Sequence, residues 1–258
     1  MSRKKKTVLI DLSGTIHIEN DEVPGSIDAL KMLRTCTVNV RFVTNTTKES
    51  KQILFERLTK IGFEIDFDEI FSSLTAAVNR IKKSNLRPYL LVDDKAIADF
   101  EGFPVADPNC VVVGLAPEKL SFECMNKAFD LLINGAQLIA IHKAKYYKRT
   151  DGLALGPGPF VTALEYASGV SAHIVGKPSS DFFLSAIKDY DCQPADCYMI
   201  GDDVWGDIEG AASLGMMTFV VKTGKYLDGD EFKIQSKTRV VDRFSDAVAE
   251  IIKDISLF

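Results

Sequence analysis

Val8-Leu9-Ile10-Asp11-Leu12-Ser13-Gly14-Thr15 reads as a buried strand that delivers one carboxylate to the start of a tight loop. In an open α/β sheet, ligands bind at the carboxyl ends of the strands, so Asp11 stands where chemistry would be done. Taken alone, the run reads first as an ordinary strand followed by an Asp-Gly type turn. Three later strand ends carry matching parts, and these turn the reading toward a site.

Working outward, Asn39-Val40-Arg41-Phe42-Val43 is a second strand that closes on Thr44-Asn45-Thr46-Thr47. Thr46 and Glu49 match the S/T-x-x-E capping box, which predicts a helix from there to about residue 61. Thr44 and Asn45, just ahead of that helix, are phosphate-binding candidates, because a helix start concentrates unpaired N–H groups and positive potential. Residues 172–178 form a strand end bearing Lys177, followed by a helix with Ser179 or Ser180 as its cap. Residues 197–203 end in Asp202 and Asp203, and the next helix carries Asp207 in its first turn and stops at Gly215. Strands at 217–221 and 238–242 and a helix at 245–252 complete the pattern. Strands alternating with helices predict an α/β fold with a doubly wound parallel sheet.

Between these parts, residues 69–84 read as a helix and 88–92 as a strand. Strands at 110–115 and 137–141, a helix at 118–132, the turn-rich Gly152 to Pro159 and a helix to about residue 167 follow. The expected organisation is a core of 1–85 and 172–258 with an inserted α/β cap domain, 86–171.

Composition narrows the classes. The chain has 258 residues, 46% hydrophobic and 26% charged, as in ordinary globular domains. No apolar run approaches the roughly 20 residues of a membrane span, and the N-terminus lacks a secretory apolar region, so no membrane partner is expected. Five cysteines without a CxxC pair predict a reducing, cytoplasmic setting. A formal net charge of -5 argues against nucleic acid as a partner. The basic run Arg3-Lys4-Lys5-Lys6 reads as a solvated tail rather than a targeting or lipid patch.

If Asp11, Thr44, Lys177 and the Asp202/Asp203/Asp207 group converge, several carboxylates share one cleft and need compensation. Lys177 and a divalent cation supply it. Oxygen donors without His or Cys at ligand spacing favour Mg²⁺, which in turn favours a small phosphorylated substrate. Asp11 is then either a ligand only, or a ligand that also attacks phosphorus to form an aspartyl-phosphate.

The order Asp-x-x-Gly-Thr, strand-Thr-Asn, Gly-Lys-Pro-Ser and Gly-Asp-x4-Asp resembles the four motifs of the haloacid dehalogenase (HAD) superfamily, in the form whose cap lies between the second and third motifs. The likeness covers essentially the whole chain. It implies a Rossmann-like core, Mg²⁺-dependent phosphatase activity, and Asp11, Ser13, Thr44 and Lys177 as the catalytic set. Asp11, the Ser13 carbonyl and Asp202 would be the metal ligands, with Asp203 and Asp207 as support behind them. Asp11, Leu12, Ser13, Thr44, Asn45 and Lys177 would bind substrate, and a homodimer through the cap is suggested.

One departure matters. Phosphatases of this family usually carry a second Asp two residues after the nucleophile as acid and base; here it is Ser13. A backbone carbonyl is indifferent to the change, but proton transfer worth ~10² to 10⁴ in rate is affected. P–N bonds and pyrophosphate, whose leaving groups depend less on that proton, are therefore the expected substrates, with alkyl monoesters slow. The alternative is a weakly catalytic binding or regulatory protein that keeps the Mg²⁺ and phosphate sites; a receiver-type signalling module is disfavoured by chain length and by the cap. The basic stretch His142-Lys143-Ala144-Lys145-Tyr146-Tyr147-Lys148-Arg149 fits a substrate-reading loop, a solvated loop or a dimer contact. His17, His142 and His173 have no metal spacing, and Trp205 is expected to pack over the cleft rim.

Overall fold

A computed structural model describes residues 5–149 and 152–256. Of the basic run at the N-terminus, Arg3 and Lys4 lie outside the described residues. Along the chain run β1 (Lys6–Ile10), β2 (His17–Ile18), β3 (Asp21–Glu22), α1 (Ser26–Arg34), β4 (Val38–Thr44), α2 (Lys51–Ile61), β5 (Ile70–Ser72) and α3 (Ser73–Lys83). Next come β6 (Pro88–Leu91), β7 (Cys110–Val113), α4 (Phe122–Ile133), β8 (Gln137–Ala140), β9 (Tyr146–Arg149), β10 (Gly152–Leu155), α5 (Gly158–Ser168) and β11 (His173–Ile174). The remainder is α6 (Ser180–Ile187), β12 (Cys197–Gly201), α7 (Gly210–Ala212), β13 (Met217–Val221), β14 (Arg239–Val241) and α8 (Phe244–Ser256). None of the described helices is long and apolar enough to cross a membrane.

The chain divides into two compact units. The first, Met1–Thr44, Leu54–Phe71 and Lys177–Phe258, holds a six-stranded sheet in the order β14-β13-β12-β1-β4-β5. Its β1 pairs in parallel with β12 on one side and β4 on the other, and Ile10 is level with both Ile200 and Phe42. Val8, Leu9 and Ile10 have no solvent exposure, as a strand covered on both faces requires. Val8, Ile10, Phe42, Ile200, Phe219 and Phe244 belong to one apolar core on this sheet. Each such side chain contributes about 1.5–3 kcal/mol by leaving water. The parallel arrangement brings the carboxyl ends of β1, β4 and β12 side by side, which sets the residues immediately beyond them next to one another.

The second unit, Asn45–Ile53 and Ser72–Gly176, holds a four-stranded parallel sheet in the order β11-β8-β7-β6 and an antiparallel hairpin of β9 and β10. Val111, Val113, Leu132, Leu138, Val161 and Leu164 form part of its own core. Compared with the expected 86–171, this unit also takes in residues 45–53, 72–85 and 172–176. One cause is direct: His173 and Ile174 pair with Ile139 and Ala140 of β8, so this strand extends the second sheet and not the first.

Other expectations are corrected locally. The helix expected from Thr46 begins at Lys51, because its N-terminal partners are different. The Asp99 carboxylate accepts the Lys51 N–H at 3.0 and 3.1 Å, and Ser50 Oγ accepts the Ile53 N–H at 3.3 Å. Ile70 to Ser72, expected to be helical, is a fully buried strand that extends the first sheet, and Ser72 Oγ then caps α3 by accepting the Thr75 N–H at 3.0 Å. The polar stretch after Asp11 contains the short β2–β3 hairpin, and half of the basic stretch 142–149 is the strand β9.

Candidate active site

Asp11 follows the last residue of β1, and its backbone N–H donates to the Ile200 carbonyl of β12 at 2.9 Å. This bond extends the sheet by one residue and holds the carboxylate in place with only 5% exposure. Lys177, itself 6% exposed, places its ammonium 2.5 Å from Asp11 Oδ1, 2.6 Å from Asp207 Oδ1 and 3.3 Å from the Val43 carbonyl of β4. The other oxygen of Asp11 accepts from the Thr15 hydroxyl at 3.2 Å. Asp202 follows β12, and one carboxylate oxygen from each of Asp11, Asp202 and Asp207 lies within 4.8 Å of the other two. All three residues are buried.

The local sequence explains why this grouping is possible. Gly201 precedes Asp202 because a Cβ there would sit 2.3 Å from Asp207 Oδ2. Gly14 has φ of +91°, and a Cβ on it would sit 2.2 Å from Asp202 Oδ2, so the loop after Asp11 accepts only glycine at that point. Asp203 caps a π-helical turn, Val204–Glu209, by accepting the Trp205 and Gly206 N–H groups at 3.1 and 2.9 Å on Oδ1. Its own N–H donates to Asp207 Oδ2 at 3.2 Å. Lys225 lies beyond β13; its N–H donates to Asp202 Oδ2 at 2.6 Å and its ammonium pairs with Asp203 Oδ2 at 3.1 Å.

Burial, and next the charge of Asp11, push the Asp202 carboxyl up to about 7. Burial pushes Asp207 upward as well, opposed by Lys177 and reinforced by the neighbouring carboxylates. Burial alone would lower Lys177, but the charges of Asp11 and Asp207 outweigh it and hold the ammonium above its ordinary range. Asp203 is also disfavoured by burial, yet Lys225 and the helical N–H groups bring it below the usual carboxylate range. An upward push of this kind on Asp202 marks a crowded anionic site in need of positive charge. With all four carboxylates ionised (Asp11, Asp202, Asp203, Asp207) against two ammonium groups (Lys177, Lys225), two negative charges remain, which a divalent cation would balance. With oxygen as the only donor element, the residues fit Mg²⁺.

Asp11, Lys177, Asp202, Asp203 and Asp207 therefore come together in the first unit. Thr44 ends β4, buried, one strand over from Asp11. Asn45 is the first residue of the second unit. Ser13 is exposed, but the Leu12 side chain is 1% exposed in the apolar core, so only its backbone is available to a ligand. The Leu12 carbonyl already accepts the N–H groups of Thr15, Ile16 and His17. Trp205 is 54% exposed rather than packed down. In the second unit Lys143 pairs with Glu165 at 2.5 Å, and the Lys48 ammonium lies 4.4 Å from the centre of the Tyr147 ring. Three contributors have no assigned role in the sequence reading: Thr15, which enters it only within the Asp-x-x-Gly-Thr motif, Thr223 and Lys225. The last two flank Gly224 just past the Val221 end of β13, where the strand-end rule that found Asp11 and Asp202 applies equally.

This sheet order and acidic cluster define a doubly wound α/β protein with a carboxylate site at its strand ends and a second α/β unit. The chain belongs to the haloacid dehalogenase-like hydrolase family. The profile of that description matches residues 8–104 and a further HAD-like hydrolase profile matches residues 174–247. The chain is 56% identical to haloacid dehalogenase-like hydrolase domain-containing protein 2 of Mus musculus, with 98% of each chain covered. It is 39% identical to phospholysine phosphohistidine inorganic pyrophosphate phosphatase of Danio rerio, covering 96% of this chain and 94% of that one. Among solved structures, p-nitrophenyl phosphatase from Archaeoglobus fulgidus superposes with a TM-score of 0.88 at 26% identity, over 96% of this chain and all of the other.

Proposed function

We propose that this chain is a Mg²⁺-dependent phosphohydrolase that works through Asp11 and is biased toward P–N bonds and pyrophosphate. The observation that carries the reading is the Lys177 ammonium held between Asp11 Oδ1 and Asp207 Oδ1 at 2.5 and 2.6 Å. A buried carboxylate so paired is fixed in direction, as a nucleophile must be. Asp11, the Ser13 carbonyl and Asp202 would hold Mg²⁺, which when bound neutralises charge on the phosphoryl oxygens.

In this scheme an Asp11 carboxylate oxygen attacks phosphorus, the bond to the leaving group breaks, and an aspartyl-phosphate forms; water then attacks that phosphorus and releases inorganic phosphate and free Asp11. Lys177 balances charge on nucleophile and phosphoryl group. Thr44 and the Asn45 backbone are assigned to the phosphoryl oxygens. The Ser13 hydroxyl is far too weak an acid to protonate an alkoxide, whereas an amine can take its proton from solvent and phosphate leaves as a stable anion. The name of the Danio rerio relative, which has phospholysine, phosphohistidine and inorganic pyrophosphate as substrates, supports the same bias.

Turnover of pyrophosphate, phosphohistidine and sugar monophosphates, each with and without Mg²⁺, tests this reading. Phosphohistidine or pyrophosphate should turn over fastest, only with Mg²⁺, and Asp11→Asn should be inactive. Residual turnover in Asp11→Asn would remove the covalent mechanism, and faster hydrolysis of sugar phosphates would remove the bias. A second reading, a Mg²⁺- and phosphate-binding protein with little turnover, rests on Ser13 alone. It is the outcome if the chain binds Mg²⁺ and phosphate yet hydrolyses nothing in the panel.

A further inference from the structure

Beyond the acidic cluster, one turn has no part yet in the chemistry. Thr223-Gly224-Lys225 follows the end of β13 and packs against Asp202. Three contacts of different kinds converge there. The Lys225 N–H holds Asp202 Oδ2 at 2.6 Å. The Thr223 hydroxyl donates to the Gly14 carbonyl at 2.5 Å, tying the turn to the loop that follows Asp11. Gly224 is packed so closely that a Cβ on it would sit 2.0 Å from Asp202 Oδ2 and 2.7 Å from Gly14 Cα.

We infer that this turn is the positioning element of the cation site: it fixes one oxygen of Asp202, leaves the other to face Asp11, and sets the spacing between the two loops that carry the ligands. This inference rests on the Mg²⁺ site proposed above. Asp202 is a short side chain with two equivalent oxygens. Without the Lys225 N–H and the two glycine surfaces, it would rotate or withdraw. Groups that orient a ligand from behind in this way change metal affinity by about 10- to 100-fold when removed. The Thr223 hydroxyl acts on the Gly14 carbonyl, so its effect on the site is exerted through the loop that follows Asp11.

The test is direct titration of the full chain with MgCl₂ alone by calorimetry, alongside thermal unfolding in EDTA. Thr223→Val, close in shape but without the hydroxyl, should bind Mg²⁺ about tenfold or more weakly while unfolding in EDTA at the native temperature. Thr223→Ser should bind as the native chain does. Gly224→Ala should lose Mg²⁺ binding more completely; if it fails to fold, the Thr223 pair decides alone. Native affinity in Thr223→Val, or equal weakness in Thr223→Ser, overturns the inference, as does a fall in EDTA stability that matches the loss of affinity. A native chain that binds no Mg²⁺ overturns the underlying reading of the site instead, so the two failures are separable.

Discussion

Asp202 gives the site its pH signature. Its folded pKa, raised to about 7 by burial and by Asp11, exceeds the ordinary carboxylate value of 3.8. The protonated form is therefore favoured in the fold, and its contribution to stability is complete below about pH 4, is lost as pH rises toward 7, and is absent above. A cation competes for the same carboxylate. The unfolding temperature in EDTA should accordingly fall between about pH 4 and 7 by an amount that Mg²⁺ abolishes, and the stabilisation by Mg²⁺ should grow over that range. An Mg²⁺ effect independent of pH would show that Asp202 is not a ligand. At Ser13, Ser13→Asp should raise hydrolysis of an alkyl phosphate monoester by ~10² or more at saturating Mg²⁺, as restored general acid catalysis would. An unchanged rate would place the limit elsewhere. Asp11, Lys177 and Asp202 were legible as residues because each ends an apolar run with a polar group, a pattern that needs no knowledge of the fold. Thr223 and Lys225 lie just past the Val221 end of β13, where the strand-end rule points, but nothing local in the sequence tells which other loops a hydroxyl and an N–H there will hold.

The elements were legible where a strand was long and buried, and less so where partners are distant in the chain. The Thr46-x-x-Glu49 signal lost to a cap contributed by Asp99, 48 residues further on, and no local rule reports that. Asp99→Ala should thus destabilise the second unit by about 1 kcal/mol, the usual worth of a capping carboxylate, as read by urea unfolding. A change near zero would mean that Ser50 suffices to start α2. Glu69 to Asn85 keeps good helical composition throughout and so predicts helix across β5; only burial at the edge of the first sheet makes Ile70 and Phe71 extended. The hairpin of β9 and β10 is not legible in the sequence because β10 alternates with its apolar side chains outward: Leu153 and Leu155 are 67% and 61% exposed, whereas a half-buried strand would hide them.

At the level of the whole molecule, the doubly wound sheet and its second α/β unit followed from strand–helix alternation, while the borders did not. Each unit carries its own apolar core, so damage to each should register. Phe42→Ala in the first core should cost about 3–5 kcal/mol, and Leu138→Ala in the second about 2–5 kcal/mol, both measured by chemical denaturation. Smaller costs would mean that those sites collapse around the missing atoms.

The chain passes between its two units at four places, after Thr44, Ile53, Phe71 and Gly176. Anyone building chimaeras to exchange specificity with a relative would be tempted to cut at 86 and 171, where the composition changes. That cut would strip β8 of its neighbour β11 and leave α3 behind with the wrong host. Junctions at 71/72 and 176/177 keep the donor sheet whole, yet even then the recipient retains residues 45–53, whose α2 start depends on an aspartate at position 99. A successful graft must therefore bring that acid with it, or supply the nine-residue segment from the same donor.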